Sequence, residues 1–392
     1  MSSTIVRWAV LAAIMLTGGS GCGYFRGSAS EDDTELSELD VIDKADSIER
    51  PKDLIAPISP PLEGVLELHL KIGDRFPLSK TVEQRLTQSD QRGQSVSTSV
   101  SNMMLSLVVE DVRPDGRKLI KVQYHRVKYQ QEIGGKTVSY SSDQTLESVP
   151  PDAYLYAGLA NNWFQFWLGP NNKVIEIVGF NDFLKRCLQN VPAKYVASVQ
   201  QQLEGTKTDD GISNFIDDSI GLLPFSNDPS HPGVSVKEGT RWELDPRRSE
   251  VPIPLLTTTE CVLKELSASS AEILMTGRIS GPPTPVVLNS AAGKMKVQVK
   301  GGFCTGNCRV DRNTGLPTQS RIQRDLELAM ELPGGQMLQQ QKESVSTIVS
   351  FPGQVGVSND TPNSRVQQAS VQTADVFESH RRVMQVSGTQ AK

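Results

Sequence analysis

Polar and apolar side chains alternate in short runs along most of the chain. Leu66, Leu68 and Leu70 are separated by polar residues, and the same period of two recurs over 326–332. This period is typical of a β-strand with one buried face. Segments rich in Gly, Pro and Asn separate the runs, which favours antiparallel neighbours. The pattern predicts a β-rich α+β fold over residues 61–350, built as an antiparallel curved sheet or half-barrel.

A helical period occurs in one section, at about residues 181–221. Asn181 is predicted to cap a first helix, and Pro192 fits the first turn of a second. A third helix is predicted to start near Thr208 or Asp209. Each helix has one apolar face, so we expect a small helical insert that lies on the sheet.

Two segments of the chain share one short pattern, Lys, any residue, Gly, a polar residue, Arg and an aromatic residue. They are Lys71–Phe76 and Lys237–Trp242. A glycine at a turn allows backbone angles that other residues avoid, and the aromatic residue opens the next strand. The repeat predicts a sheet made of two related halves. The alternative is that two unrelated hairpins look alike.

The N-terminus carries an apolar run, Ile5–Leu16, that is too short to span a bilayer comfortably. Small residues follow it and lead to Cys22. Residues 1–21 therefore resemble a bacterial lipoprotein signal peptide, although Gly19 replaces the usual aliphatic residue. The resemblance implies acylation of Cys22, for example by palmitate, and export to the cell envelope. Gly23 favours the outer membrane, facing the periplasm. The alternatives are an ordinary secretory signal and an uncleaved anchor.

The charges nearly cancel, since 40 Lys and Arg oppose 45 Asp and Glu. A strongly basic nucleic-acid binder is therefore excluded, and no nucleic-acid partner is expected. The acidic residues concentrate in 31–50, where nine carboxylates face two basic residues. Together with several prolines, this composition predicts an acidic, flexible tether over residues 22–60. Residues 351–392 show neither period and are predicted to form a disordered or loosely attached tail.

Four cysteines follow Cys22, at positions 187, 261, 304 and 308. Gly306 could let the chain turn back, so a disulfide between Cys304 and Cys308 is predicted. Three alternatives remain open: a bond between Cys187 and Cys261, buried free thiols, and a metal site, for which nearby ligands are few.

Aromatic residues cluster just before the helical section, and a further tryptophan follows it. The cluster is predicted to line a site for an apolar ligand between sheet and helices; the alternative is core packing. The candidate lining residues are Trp163, Phe164, Phe166, Trp167, Phe180 and Trp242.

Catalytic motifs are missing from the sequence, which has four histidines without paired spacing and no nucleophile elbow. We therefore predict no catalytic residues, no metal and no cofactor, and hence no enzyme. The alternative is a hydrolase with an Asp or Glu dyad that no motif marks. The paired carboxylates Asp209-Asp210 and Asp217-Asp218 are predicted to lie in solvent or to cap helix ends.

Three segments together resemble an uncharacterised bacterial envelope lipoprotein family, domain of unknown function 6263. They are Gly73–Phe76, Gly239–Trp242 and Val310–Gly315. The likeness covers about residues 64–350 and implies a fold and a location but no catalytic residues. We therefore expect a cell-envelope lipoprotein that partners the membrane through its anchor and binds an apolar or lipid-like ligand. The alternative is a structural or protein-interaction module that binds an envelope protein and no small molecule.

Overall fold

The computed structural model describes residues 63–91, 93–145, 149–207, 218–225, 233–249, 253–290 and 293–350. The predicted signal peptide, the acylated Cys22, the tether and the tail lie outside the described residues. The third predicted helix falls largely on residues 208–217, which also lie outside them.

Alternating side chains form long strands, as the sequence predicts. In chain order the strands are β1 (Glu63–Leu66), β2 (Arg75–Asp90), β3 (Gly93–Val112), β4 (Lys118–Ile133), β5 (Lys136–Ser141), β6 (Trp163–Leu168), β7 (Val174–Val178), β8 (Val234–Lys237), β9 (Arg241–Ser249), β10 (Leu255–Leu266), β11 (Ser270–Ser280), β12 (Val286–Ser290), β13 (Gly293–Asp311), β14 (Pro317–Glu331) and β15 (Met337–Ser350).

Within the described residues, thirteen of these strands form one antiparallel sheet. Its order is β7-β6-β4-β3-β2-β15-β14-β13-β11-β10-β9, with β5 beside β4 and β12 beside β13. Strands β1 and β8 form a separate two-stranded sheet. The predicted antiparallel, β-rich fold is confirmed.

The two predicted halves meet where β15 pairs with β2. Both halves open with the same turn. The N–H of Gly73 donates to the Val109 carbonyl oxygen at 2.9 Å, and the N–H of Gly239 donates to the Leu263 oxygen at 2.8 Å. Both glycines have a positive φ, of 89° and 83°. The two segments therefore share backbone hydrogen bonds as well as residue types.

A β-bulge follows at the same place in each half. The register of β3 on β4 shifts between Val109 and Asp111. The register of β10 on β11 shifts between Leu263 and Glu265. Since Val109 and Leu263 are the residues bonded to the two turn glycines, the bulges occupy equivalent positions. This shared irregularity supports two related halves.

The sheet curves until its two ends approach each other. Lys173, next to β7, forms an ion pair with Asp245 on β9, although these strands lie at opposite ends of the strand order. In the described part of the chain, β7 and β9 form no ladder with each other. The sheet is therefore curved but not closed into a barrel.

Helices pack against one face of the sheet, called the inner face below. They are a 3₁₀ turn (Pro151–Ala153), α1 (Tyr154–Leu159), α2 (Phe180–Leu188), α3 (Ala193–Lys207) and a second 3₁₀ turn (Ile220–Leu222). The six-residue α1 is not predicted by the sequence because it is too short to show a period. No helix within the described ranges is long and apolar enough to cross a membrane.

The start of α2 corrects one prediction. Asn181 lies inside this helix, which begins at Phe180 after Gly179 in a left-handed conformation with a φ of 67°. No side chain caps this end of the helix. The next helix, α3, begins directly after Pro192, where the Tyr195 N–H bonds to the Pro192 oxygen at 2.8 Å.

Candidate functional site

The six residues of the predicted aromatic lining lie in three different environments. Phe164, Phe166 and Phe180 are buried in the main core. Phe183 of α2 packs edge-on against Phe164 with ring centroids 5.5 Å apart, and lies 5.7 Å from Phe180. These rings fill the space between the sheet and α2. Their arrangement is that of core packing.

Trp163 and Trp167 face the opposite side of β6, because side chains alternate along a strand. Arg113 lies over the ring of Trp167, 4.1 Å from its centroid. Lys121 and Arg186 both lie 4.5 Å from the ring centroid of Trp163. Cations therefore lie over both indole rings and form cation–π contacts with them.

Trp242 lies on β9, in the other half of the sheet. Its indole N–H donates to the Leu222 carbonyl oxygen at 3.1 Å, and its ring packs against the main core. The structure thus does not bring the six candidate residues together around one ligand.

The predicted disulfide between Cys304 and Cys308 is wrong. Both residues lie on β13, where four residues of extended chain span about 13 Å, whereas a disulfide joins Cα atoms within about 7 Å. Gly306 stays in the ladder opposite Met275 and Ile322 instead of turning the chain back.

None of the four cysteines in the described residues forms a disulfide and all four are buried, so Cys187 and Cys261 are not bonded to each other either. Burial raises the pKa of the Cys187, Cys261 and Cys308 thiols to about 12. The alternative of buried free thiols therefore describes this structure.

A cleft of about 210 Å³ opens beside α1 and the end of α2. Its lining is Tyr154, Ala157, Gly158, Ala160, Asn161, Asn162, Arg186, Cys187, Gln189, Asn190 and Val191. The two helices approach closely here, since a Cβ atom on Gly158 would lie 2.6 Å from the Cys187 oxygen. The volume corresponds to roughly seven water molecules and is smaller than the usual site for a drug-sized ligand.

Hydrogen bonds hold the one cation of the cleft lining in a fixed position. The Nε of Arg186 donates to the Asn162 Oδ1 at 2.8 Å, and its Nη2 donates to the Trp163 oxygen at 2.6 Å. The Asn162 amide donates in turn to the Gly158 oxygen at 3.2 Å and to the Cys187 sulfur at 3.1 Å. Neither Asp nor Glu is among the lining residues. The described lining therefore mixes polar and apolar side chains and carries one positive charge.

A second polar region lies on the inner face, in the middle of the sheet, and is called the inner polar belt. Its buried members are Lys80, Gln88, Ser97, Arg324, Gln340 and Lys342, together with Asp218 from the segment before the second 3₁₀ turn. The sequence does not reveal the belt, because polar residues occur on both faces of β15 and no apolar period marks the buried one.

The prediction that Asp218 lies in solvent or caps a helix end is wrong, because its side chain is buried in the inner polar belt and caps no helix in the described residues. Its carboxylate accepts hydrogen bonds from both terminal nitrogens of Arg324, and the two side chains form a buried ion pair. Burial acts to raise the pKa of Asp218, but Arg324 and Lys80 outweigh it, so the pKa falls below the usual carboxyl value. Burial also lowers the pKa of Lys80, against the opposing effect of Asp218.

Among the described residues, no group of three or more His, Cys, Asp and Glu side chains is placed so that it could bind a metal ion.

These features define a class of protein, a curved antiparallel sheet with helices on its inner face and a polar cleft at the helix ends. The chain belongs to a family of unknown function, DUF6263, whose sequence profile matches residues 115–317, just over half of the chain. The family is the one that the sequence resembles. Its profile says nothing of location, so the envelope location and the lipid anchor stay predictions. No curated protein matches the chain.

Solved structures give only distant matches. One is lipovitellin, in a structure titled for its lipid–protein interactions, with 9% identity and a TM-score of 0.38 over 76% of this chain and 27% of that one. Another is the β domain of the Bordetella autotransporter BrkA, with 10% identity and a TM-score of 0.19 over 71% of this chain and all of that domain. A third is the Pseudomonas aeruginosa protein OccK5, with 6% identity and a TM-score of 0.20. This chain spans about a quarter of the lipovitellin chain, and similarities this low support no conclusion about function.

Proposed function

We propose that this protein is an exported, lipid-anchored binding protein of the cell envelope that holds a small polar ligand in the cleft beside α1 and α2. The observation that carries the proposal is the fixed guanidinium of Arg186 in a cleft whose described lining holds no carboxylate. A preorganised arginine binds carboxylate or phosphate groups with little loss of side-chain entropy.

The same geometry argues against an apolar ligand. Phe164, Phe166 and Phe183 already pack against one another between sheet and helices, so a lipid chain would have to displace them. Asn161, Gln189 and Asn190 instead supply amide groups to the cleft wall. A ligand with an anionic group and further hydrogen-bonding atoms suits this lining better than a hydrocarbon chain does.

Binding without catalysis is also what the lining supports. Cys187 is the one thiol of the cleft, and burial raises its pKa to about 12, which keeps the thiolate scarce at neutral pH. Neither His nor a carboxylate stands among the lining residues to act as a general base.

A thermal-shift screen of the full chain against small carboxylates, amino acids and sugar phosphates tests the cleft. Ala160→Leu fills space in the cleft and should abolish the shift that a hit produces, whereas Ala329→Leu on β14 should keep it. A hit that both variants bind equally, or a screen without any hit, contradicts the proposal.

The anchor needs a separate experiment, because a binding protein need not be acylated. Metabolic labelling with a palmitate analogue should mark the wild type and leave Cys22→Ser unlabelled, and detergent should be required to extract the wild type alone. An unlabelled wild type contradicts the anchor and leaves the cleft proposal standing.

One observation favours the alternative of a protein-interaction module. The end strand β7 has a free edge in the described part of the sheet and carries the exposed Ile175. Such an edge can pair with a strand of another protein. Crosslinking from the exposed position 176 in intact envelopes should then yield one defined protein adduct, which is lost when Ile175→Pro is added to the same protein.

A further inference from the structure

Arg186 lines the cleft with a guanidinium group that the protein uses along one edge only. Its Nε and Nη2 atoms, which form the side edge of the planar group, donate to the Asn162 Oδ1 and to the Trp163 oxygen. Within the described residues, Nη1 donates no hydrogen bond. The end edge therefore offers parallel N–H groups from Nη1 and Nη2, and this pair matches two oxygens of one carboxylate or phosphate group.

Three neutral amide side chains share the cleft with this arginine. Asn161, Gln189 and Asn190 belong to the lining and are exposed, and their side chains make no hydrogen bond to the described part of the chain. Each carboxamide carries an N–H donor and an oxygen acceptor, so it can hydrogen-bond a hydroxyl group in either direction. Several such groups beside one fixed cation suit a ligand that has several hydroxyls and one negative charge.

The rest of the lining is largely apolar. Tyr154 contributes an aromatic ring, and Ala157, Ala160 and Val191 contribute small aliphatic side chains. A sugar ring carries C–H groups beside its hydroxyls, so a wall that mixes apolar and amide groups suits both parts of it. The cleft volume of about 210 Å³ equals roughly seven water molecules, which is close to the volume of one monosaccharide.

Two other classes of small anion suit this lining less well. An amino acid needs a partner for its ammonium group, and the described lining holds no carboxylate that could serve as one. A fatty acid or an aromatic acid would cover Asn161, Gln189 and Asn190 with hydrocarbon. Their amides would then lose water without gaining a hydrogen bond, which opposes binding.

We propose that the ligand of the cleft is an anionic monosaccharide, with its carboxylate or phosphate group on Arg186 and its hydroxyls on Asn161, Gln189 and Asn190. The C–H groups of the sugar ring then face Tyr154 and the aliphatic part of the wall. This inference rests on the proposed function and goes beyond it, because it names the chemical class of the ligand.

Calorimetry of the full chain with four matched probes tests the class. D-glucuronate and glucose 6-phosphate carry both the charge and the hydroxyls, glucose lacks the charge, and cyclohexanecarboxylate keeps a charged six-membered ring without hydroxyls. We expect glucuronate or glucose 6-phosphate to bind at least tenfold more tightly than both glucose and cyclohexanecarboxylate. The tighter of the two sugars identifies the anionic group as a carboxylate or a phosphate.

The outcomes separate this inference from the function on which it rests. If cyclohexanecarboxylate or another acid without hydroxyls binds as tightly as the anionic sugars, the sugar is wrong and an anion-binding cleft remains. If glucose binds as tightly as they do, the contact with Arg186 is wrong. If neither the four probes nor any small carboxylate or amino acid binds, both the inference and the proposed function are contradicted.

Variants of the cleft wall test the hydroxyl contacts. Asn161 has a positive φ of 59°, so Asn161→Gly removes the amide without straining the backbone. This variant, and Gln189→Met, should each weaken binding of the anionic sugar at least fivefold and leave the melting temperature of the ligand-free protein close to that of the wild type. The matched controls are Asn172→Gly, at the other described non-glycine residue with a positive φ, and Gln339→Met, at an exposed position of β15. Equal binding by Asn161→Gly and Asn172→Gly contradicts the contacts.

Trp163 reports where the sugar binds. The Arg186 guanidinium lies 4.5 Å from the ring centroid of Trp163, so an anion that binds Arg186 should change the fluorescence of this indole. Trp163→Phe should lose that change and keep the binding measured by calorimetry, because Arg186 is bonded to the backbone oxygen of residue 163. A fluorescence change that persists in Trp163→Phe shows that the sugar binds elsewhere and overturns the proposal.

Discussion

Asp218 and Arg324 form a buried ion pair between residues that are 106 positions apart in the chain. The Ser320 hydroxyl on the same strand also donates to the Asp218 carbonyl oxygen, at 2.5 Å. The pair and this bond fasten the segment before the second 3₁₀ turn to β14. They also lie at the border between the main apolar core and the inner polar belt.

Replacing Asp218 by Asn should be among the most destabilising changes in this protein. It leaves the Arg324 guanidinium buried without its counter-charge, which typically costs about 3–5 kcal/mol of unfolding free energy. Asp245→Asn is the control, since it removes a carboxylate from the exposed pair with Lys173, where about 1 kcal/mol or less is expected. Urea unfolding at pH 7 measures both. Equal midpoints for the two variants would contradict the role of the buried pair.

The same pair predicts how stability depends on acid. The pKa of Asp218 is lower in the folded protein than in the unfolded chain, where a carboxyl titrates near 3.9. The pair therefore stabilises fully above that value, and its contribution is lost as the pH falls through the lower folded pKa. The gap in unfolding free energy between wild type and Asp218→Asn should shrink between pH 5 and pH 2. A gap that stays constant would refute the lowered pKa.

The turn glycines of the two halves should respond alike to substitution. Gly73 and Gly239 have positive φ angles, and a Cβ atom on either would meet no neighbour within 4 Å. The cost of alanine is therefore the left-handed backbone alone, about 1–2 kcal/mol at each site. Asn tolerates this conformation better, so Gly73→Asn and Gly239→Asn should recover part of the loss. Clearly different costs at the two positions would argue against equivalent turns.

These turns also show how far the sequence could predict the fold. Lys71–Phe76 and Lys237–Trp242 reveal the related halves because a turn depends on residues that are adjacent in sequence. The alternation over 326–332 predicts the end of β14 for the same local reason, whereas the strand predicted by the alternation at Leu66, Leu68 and Leu70 ends at Leu66. Which side chains pack on a given face of the sheet depends on segments that are far apart in the sequence. The belt around Lys342 and the cleft at Arg186 are therefore not visible from the sequence.

The misplaced cysteine bond has the same origin. Gly306 suits a turn when it is considered with its neighbours alone. In the fold it lies in the ladder, where a Cβ atom would meet the Arg321 oxygen at 2.6 Å. The glycine permits close strand packing and not a turn. Sequence spacing could not distinguish these two reasons for a glycine.

The four described thiols should be reduced but unreactive in the folded protein. With a pKa of about 12, Cys187, Cys261 and Cys308 hold on the order of a thousand-fold less thiolate at pH 8 than an ordinary cysteine. Alkylation should be slow in buffer and complete in denaturant without any reductant. Thr98→Cys, at an exposed position of β3, should react at once and serves as the control. If two of the cysteines react only after a reductant is added, they form a disulfide and this prediction is wrong.

Phe166 decides between the two interpretations of the aromatic cluster. Its side chain is 0% exposed and packs beside Phe164, with ring centroids 6.3 Å apart. If these rings form the core, Phe166→Ala should cost about 3–5 kcal/mol of unfolding free energy, while Phe166→Leu should cost much less. If they line a ligand cavity instead, the alanine variant should remain nearly as stable as the wild type and bind a larger apolar ligand. Chemical unfolding together with binding of a fluorescent fatty acid measures both quantities. We expect the large loss of stability, without any gain in fatty-acid binding, because the neighbouring rings already fill the space that a ligand would need.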